Sequence, residues 1–192
     1  MRILRANQYR CMPWKNGGGV TREVAAWPPE ARLDDFGWRV SMARVERDGP
    51  FSTFASVDRT LTVLSGEGMI LSVEGRIPFS LTLRSEPLPF PADVPAGARL
   101  IDGPLTDLNV MTRRGSFVHA VRRLSVSGQA EISSDADTVL LICHDGPLEV
   151  TTAGEHARLA PLDCVLLNNP ATRLSVSGED TTIFLIEIRR IG

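Results

Sequence analysis

Residues 13–23, Pro-Trp-Lys-Asn-Gly-Gly-Gly-Val-Thr-Arg-Glu, combine three consecutive glycines with two cationic side chains and an amide. Glycine leaves the backbone free to adopt positive φ, so main-chain N–H groups in such a segment can close around a small anion. Lys15, Asn16 and Arg22 would add side-chain contacts. No Gly-Lys-Ser/Thr follows the glycines, which excludes a nucleotide-binding P-loop. The residues alone leave two interpretations open: an anion-binding loop, or a flexible turn between strands.

Alternating apolar and polar residues place further polar groups on shared strand faces. Period two puts Arg39 with Ser41 on one face, and Asp107 with Asn109 on another. If these faces and Arg59 point into the protein, each group costs about 1–3 kcal/mol when it is buried without a partner. Such a cost favours a ligand pocket. The alternative is that the faces point to solvent and that Arg59 forms a local ion pair with the preceding aspartate.

Strand signals dominate the chain, and no stretch has the pattern of a long amphipathic helix. Gly-Pro, Asp-Gly and Ser-Gly pairs separate the strand-like segments. Many short strands between regular turns predict an all-β sandwich or barrel. The predicted strands include residues 38–42, 60–63, 108–111, 139–143, 164–167 and 181–188.

The two halves of the chain resemble one another when the sequence is shifted by 79 positions. Under that shift Arg59 falls on Thr138, while Arg39 and Ser41 fall on the apolar residues at positions 118 and 120. After a gap of three residues is closed, Asp107 and Asn109 fall on the apolar residues at positions 183 and 185. We therefore predict two similar β-barrels, with residues 1–115 carrying a ligand site and residues 116–192 serving as a structural barrel.

Length, composition and charge describe an ordinary globular protein. The 192 residues are 43% hydrophobic and carry a net charge of −2, which gives no electrostatic reason to expect a nucleic-acid partner. No signal peptide and no apolar run of membrane-spanning length is visible, so we expect no membrane partner. Three widely spaced cysteines are expected to be free thiols. Together these features predict a cytoplasmic protein.

Several motifs resemble those of the HutD/Ves family. They are residues 13–23, Trp38-Arg39-Val40-Ser41, Gly49-Pro50-Phe51-Ser52, Asp58-Arg59, Leu64-x-Gly66-x-Gly68 and Asp107-x-Asn109-Val110-Met111-x-Arg113-Arg114-Gly115. The ordered set covers nearly the whole chain, and the first half carries almost all of it.

This resemblance implies an all-β bicupin, with two germin-like, jelly-roll barrels in a pirin-like arrangement. It also implies an association with bacterial histidine utilisation and a regulatory role that depends on binding a small molecule. The family motif positions expected to line the binding site are Lys15, Asn16, Arg22, Arg39, Ser41, Arg59, Asp107 and Asn109.

Metal and nucleophilic chemistry have little support in the sequence. A metal-binding cupin needs two closely spaced histidines, a carboxylate and a further histidine in one barrel, whereas this chain has no histidine before His119. We therefore expect no metal and no cofactor. No Gly-x-Ser-x-Gly elbow is present, and no catalytic residue is assigned. An ion pair with arginine would keep Asp107 ionised, which favours binding over catalysis.

The leading hypothesis is a metal-free protein that grips a carboxylate-bearing metabolite through the planar fork of Arg59 or Arg39. The family resemblance implies urocanate, or a glutamate derivative formed after it, as the ligand. Two alternatives remain: a metal-independent isomerase or hydrolase of a small organic acid, and a structural or protein-interaction module without a ligand. A homodimer is the base-rate expectation for a protein with exposed strand edges.

Overall fold

The computed structural model describes residues 1–14, 17–168 and 171–191. Within these ranges the chain forms seventeen strands and one short 3₁₀ helix at Ala6–Gln8. The strands are β1 (Arg2–Leu4), β2 (Arg10–Pro13), β3 (Gly19–Trp27), β4 (Trp38–Val45), β5 (Gly49–Pro50), β6 (Val57–Ser65), β7 (Met69–Val73), β8 (Phe79–Leu81), β9 (Leu88–Pro91), β10 (Ala96–Leu100), β11 (Leu105–Arg113), β12 (Phe117–Ser134), β13 (Thr138–Cys143), β14 (Leu148–Thr152), β15 (Glu155–Leu159), β16 (Cys164–Leu167) and β17 (Thr172–Arg190).

The prediction of an all-β protein is confirmed. Each predicted strand segment lies inside an observed strand, and most observed strands extend further at one or both ends. These segments are rich in β-branched and aromatic residues, which pack well on a pleated, half-buried surface. Among the residues described, no helix is long and apolar enough to cross a membrane.

The chain divides into two compact units. The first unit comprises residues 10–118, and the second comprises residues 1–9 with residues 119–191. The division therefore falls three residues after the one expected at 115/116. The N-terminal residues join the second unit because β1 pairs with β16, with Arg2 opposite Leu166 and Leu4 opposite Cys164.

The first unit contains two antiparallel sheets. In the described residues one sheet has the strand order β2-β3-β4-β11-β6-β9, and the other has the order β5-β10-β7-β8. Apolar side chains from both sheets pack in one cluster, which includes Leu61, Val63, Met69, Leu71 and Phe90. The inner face of the six-stranded sheet therefore continues from this apolar core into the polar positions described below.

The second unit is built on one sheet with the order β1-β16-β13-β17-β14-β15, and β12 also pairs with β17. Its core cluster includes Val139, Leu141, Ile183 and Leu185, all fully buried. On β13 the residues facing this core are therefore 139, 141 and 143. Thr138, onto which the shift of 79 places Arg59, belongs to the opposite face, so that alignment is wrong by one residue in this strand.

Candidate functional site

Strand register gathers the polar residues of the first unit onto one sheet face. β11 lies between β4 and β6, with Met111 opposite both Arg39 and Arg59. Two residues along, Asn109 lies opposite Ser41. Because alternate residues of a strand share a face, these side chains form adjacent rows on the same surface. Asp107 occupies the next row of that face.

These rows line a cavity of about 510 Å³ within the first unit. Its buried polar lining is Arg39, Ser41, Arg59, Asp107 and Asn109, each at most 8% exposed. The half-buried side chains of Trp14, Phe51 and Phe54 supply apolar walls. A cavity of this volume, largely apolar with a few convergent polar groups, has the character of a small-molecule site.

Arg39 has a partner for its charge inside the protein. Its Nε donates to Glu23 Oε2 at 2.7 Å, and the two side chains are only 6% and 12% exposed. A terminal nitrogen, Nη1, donates a longer bond of 3.3 Å to Ser41 Oγ. The guanidinium is therefore balanced and oriented by the protein, as a buried cation requires.

Arg59 differs from Arg39 in this respect. It is 6% exposed, and Phe51, Phe54 and Phe90 place their ring centroids 5.4–5.8 Å from its guanidinium carbon. Its Nη2 lies 3.5 Å from Met111 Sδ, a weak acceptor. Within the described residues, Nε has no hydrogen-bond partner. Burial lowers the pKa of Arg59 to about 10, an effect that nearby Asp107 opposes and Arg39 adds to.

Asp107 is the complementary buried acid. It is 1% exposed, and its Oδ1 accepts a 2.6 Å hydrogen bond from Asn109 Nδ2. In the part of the chain that the structure describes, Oδ2 has no partner. Burial raises the pKa of Asp107 to about 7, against the opposing influence of Arg59 and the Asn109 hydrogen bond. Among the contacts of the described residues there is no direct ion pair between Asp107 and either arginine, so the expected pairing that would keep Asp107 ionised is not observed.

Only some residues of the glycine-rich segment, residues 13–23, have a described relation to the cavity. Lys15 and Asn16 lie outside the described residues. Arg22 is exposed, on the face of β3 opposite to Thr21 and Glu23, and it does not line the cavity. A Cβ on Gly19 would overlap the carbonyl oxygen of a residue in β4, so this glycine permits close approach of the two strands.

Trp14 and Asp58 directly precede two of the predicted site residues, and only Trp14 lines the cavity. Trp14 lines the cavity, and its Nε1 donates to Thr21 Oγ1 at 2.8 Å. Asp58 does not pair with Arg59, because adjacent strand residues point to opposite faces. It accepts a 2.8 Å hydrogen bond from Arg114 instead.

Some functional neighbours were not assigned roles from the sequence. Glu23 is one of them: it lies opposite Ser41, beside a register shift between β3 and β4, and accepts the hydrogen bond from Arg39. Phe90 was missed entirely, although it lies directly opposite Arg59 in the β6–β9 pairing. The signal for Phe90 is cross-strand register, which cannot be read from sequence periodicity alone.

The described residues contain no group of three or more His, Cys, Asp or Glu side chains that could hold a metal ion. All three histidines lie in the second unit, at positions 119, 144 and 156. The buried polar groups of the cavity are two guanidiniums, a carboxyl, an amide and a hydroxyl. This set suits hydrogen bonding to an anionic organic molecule.

Comparison with known proteins identifies the family. A model of the family described as HutD matches residues 6–184. An uncharacterized 21.2-kDa Pseudomonas putida protein in the hutC 3′ region is 38% identical over 189 residues, covering 97% of each chain. The structure of HutD from Pseudomonas fluorescens SBW25, solved in a formate condition, is 34% identical with a TM-score of 0.85, covering 100% of this chain and 99% of that one.

A more distant structure shows the fold alone. A cupin 2 conserved barrel domain protein from Leptotrichia buccalis has 11% identity and a TM-score of 0.58. The alignment covers 97% of this chain and all of that protein. The fold is therefore cupin-like and all-β.

Proposed function

The chain belongs to the HutD family, and from that premise we propose that its first unit binds a small carboxylate-bearing metabolite without a metal. The cytoplasmic protein would regulate histidine utilisation through this ligand. In the two-barrel arrangement that we propose, each unit is a cupin barrel, and the second barrel is structural. The names of the relatives, HutD and a protein in the hutC 3′ region, support the link to this pathway.

One observation carries the proposal: Arg59 is a buried cation with an unused donor at the wall of a cavity. A buried polar group without a partner is costly, and proteins keep such groups where a ligand satisfies them. A carboxylate matches the planar donor fork of a guanidinium in charge and geometry. Arg39, already balanced by Glu23, is less suited to grip the same anion.

The remaining polar groups support recognition of the rest of the ligand. Ser41 and Asn109 lie opposite each other on the same sheet face, in the row next to Arg59. The aromatic walls suit a flat or short hydrocarbon body. Urocanate and glutamate derivatives carry a carboxylate and further polar atoms on a flat or short hydrocarbon body, so they suit both the polar groups and the aromatic walls.

A thermal unfolding assay tests the proposal. Urocanate, glutamate and N-acylated glutamates are each added to wild-type protein and to Arg59→Met. A ligand present at 100 times its Kd stabilises the folded state by about 2.7 kcal/mol, which raises the Tm by roughly 5–11 °C for a chain of this size. The Arg59→Met midpoint should not move. If no acid moves the wild-type midpoint, the protein is better explained as an interaction module.

A matched control separates loss of binding from a general effect of removing an arginine. Arg114 is on the surface of the same unit, with a side chain that is 42% exposed. Arg114→Met should therefore keep the full ligand-induced shift. If Arg114→Met loses the shift as Arg59→Met does, the response does not report on the cavity.

A second candidate function, a metal-independent isomerase or hydrolase, is favoured by Asp107. A carboxyl group with a pKa of about 7 can donate or accept a proton at neutral pH. Turnover of one of the acids by wild-type protein, abolished in Asp107→Asn, would establish this activity. Stoichiometric binding without any product by chromatography would exclude it for the acids tested.

A further inference from the structure

The cavity face carries two arginines and two acids, but only one arginine and one acid are directly paired. Arg39 and Glu23 form a closed pair at 2.7 Å. Arg59 and Asp107 share the cavity without a direct bond, and each retains one buried atom, Nε and Oδ2, with no partner among the described residues. When Asp107 is ionised, the cavity is close to neutral overall. When Asp107 is protonated, the cavity carries one net positive charge.

An anionic ligand that pairs with Arg59 changes this balance. The negative charge of the ligand cancels the cation that stabilised the Asp107 carboxylate, and it also repels that carboxylate across a cavity whose charged side chains are buried. We propose that the cavity binds its carboxylate ligand together with one proton, which Asp107 holds in the complex. The inference rests on the proposed function and specifies how the pH of the surroundings regulates that same site.

The surroundings of Asp107 favour this assignment over the other titratable groups. The charged side chains that share its sheet face are Arg39 of β4, Arg59 of β6 and Glu23 of β3. Its neighbour on β11 is neutral Asn109, which donates to Oδ1 and leaves Oδ2 to carry the proton. Glu23 already forms an ion pair with Arg39 at 2.7 Å, whereas Oδ2 of Asp107 has no partner among the described residues, so Asp107 is the acid that can change state when the ligand enters.

The ligand-free protein is prepared for this coupling. Burial already raises the pKa of Asp107 to about 7, so near neutral pH the free protein is a mixture of protonated and ionised forms. Ligand binding selects the protonated form. The apparent Kd therefore increases about tenfold between pH 6 and pH 8 when Asp107 stays protonated in the complex across that range.

Isothermal titration calorimetry with 3-(2-furyl)acrylate tests the proposal. This acid is a carboxylate analogue of urocanate whose ring does not titrate between pH 6 and pH 8, so any pH dependence belongs to the protein. Titrations in phosphate and in Tris, which differ in ionisation enthalpy, count the protons taken up. We expect uptake to rise from about 0.1 proton per ligand at pH 6 to about 0.9 at pH 8.

Two variants locate the proton. In Asp107→Asn the Kd should not change with pH, and proton uptake should vanish. Glu187→Gln is the control, because Glu187 is a buried carboxylate of the second unit that bonds Ser134 and Arg122. This control should keep the tenfold pH dependence. The wild-type proton count needs no variant, so the test remains decisive if Asp107→Asn folds poorly.

The possible failures can be distinguished. A wild-type Kd that is constant within twofold from pH 6 to pH 8, without proton uptake, overturns the inference and leaves the proposed binding function intact. Proton uptake that persists in Asp107→Asn also overturns it. If 3-(2-furyl)acrylate and the pathway acids bind at no pH, the proposed function fails and the inference fails with it.

Discussion

Replacing Arg59 with methionine should make the ligand-free protein more stable while abolishing ligand binding. Burial lowers the pKa of Arg59 from its ordinary value to about 10, and at about 1.4 kcal/mol per pKa unit this amounts to roughly 3 kcal/mol against the charged form. Methionine keeps the apolar stem and exchanges three cation–π contacts, at 5.4–5.8 Å near the outer limit for such contacts, for sulfur–aromatic contacts, a net loss of about 0.5 kcal/mol each. We therefore expect a net gain of about 1–2 kcal/mol in the free energy of unfolding.

The measurement is equilibrium urea denaturation at pH 7 without ligand, with Arg39→Met as the matched control. Arg39 has the same side chain on the same sheet face, but its removal strands Glu23 without a counter-charge. Breaking such a buried pair costs about 3 kcal/mol or more. The two variants should thus change stability in opposite directions. A loss of more than about 1 kcal/mol in Arg59→Met would refute the reasoning, because it would show that the folded protein already satisfies this guanidinium.

Three further predictions follow from the same sheet. The folded pKa of Asp107, about 7, exceeds its ordinary value of 3.8. Wild-type stability should therefore fall relative to that of Asp107→Asn as the pH rises from 4 to 7, by as much as about 4 kcal/mol, and then level off. Urea denaturation at several pH values measures the stability difference between the two proteins, and a difference that does not change with pH contradicts the prediction. Gly19→Ala should lower the unfolding free energy by more than about 2 kcal/mol, because the added Cβ would overlap backbone. In the same assay the unfolding free energy of Gly49→Ala should stay within about 1 kcal/mol of the wild-type value, because its Cβ meets nothing within 4 Å. Glu23→Gln frees a second cation, so the affinity for glutarate relative to butyrate should rise on the order of tenfold by calorimetry; an unchanged ratio would mean that Arg39 cannot reach the ligand.

The strands and their polar faces were predictable because both depend on local pattern. Alternation put Arg39 with Ser41, and Asp107 with Asn109, on shared faces, and the structure has these side chains side by side in one cavity. Which arginine keeps an unused donor was not predictable. That difference depends on Glu23, which reaches Arg39 through an irregular register between β3 and β4. Pairing register is a tertiary property, and one residue of slip reverses every side chain.

The comparison of the two halves failed in one strand for the same reason. A shift of 79 maps Arg59 onto Thr138, whereas the core-facing residues of β13 are 139, 141 and 143. Apolar residues occupy both faces of that strand, and all six of its residues are buried. Its sequence therefore carries no alternation that could fix the alignment. The placement of residues 1–9 in the second unit was missed because nothing in so short a segment reveals a pairing partner more than 150 residues away.

The second unit fills the inner face of its sheet mainly with apolar groups. On β13 and β17 the core-facing residues Val139, Leu141, Ile183 and Leu185 are apolar and fully buried. The buried carboxylate opposite Val139, that of Glu187, accepts hydrogen bonds from Ser134 and Arg122. The first unit could be filled in the same way, with a gain in stability. It instead keeps a guanidinium nitrogen and a carboxyl oxygen that have no partner among the described residues, both in one cavity. Proteins leave buried polar groups without hydrogen-bond partners mainly where function requires it, so stability alone does not explain the polar face of this sheet. A ligand that supplied an anion to Arg59 and allowed Asp107 to become neutral would remove both costs at once, which is what the proposed function requires.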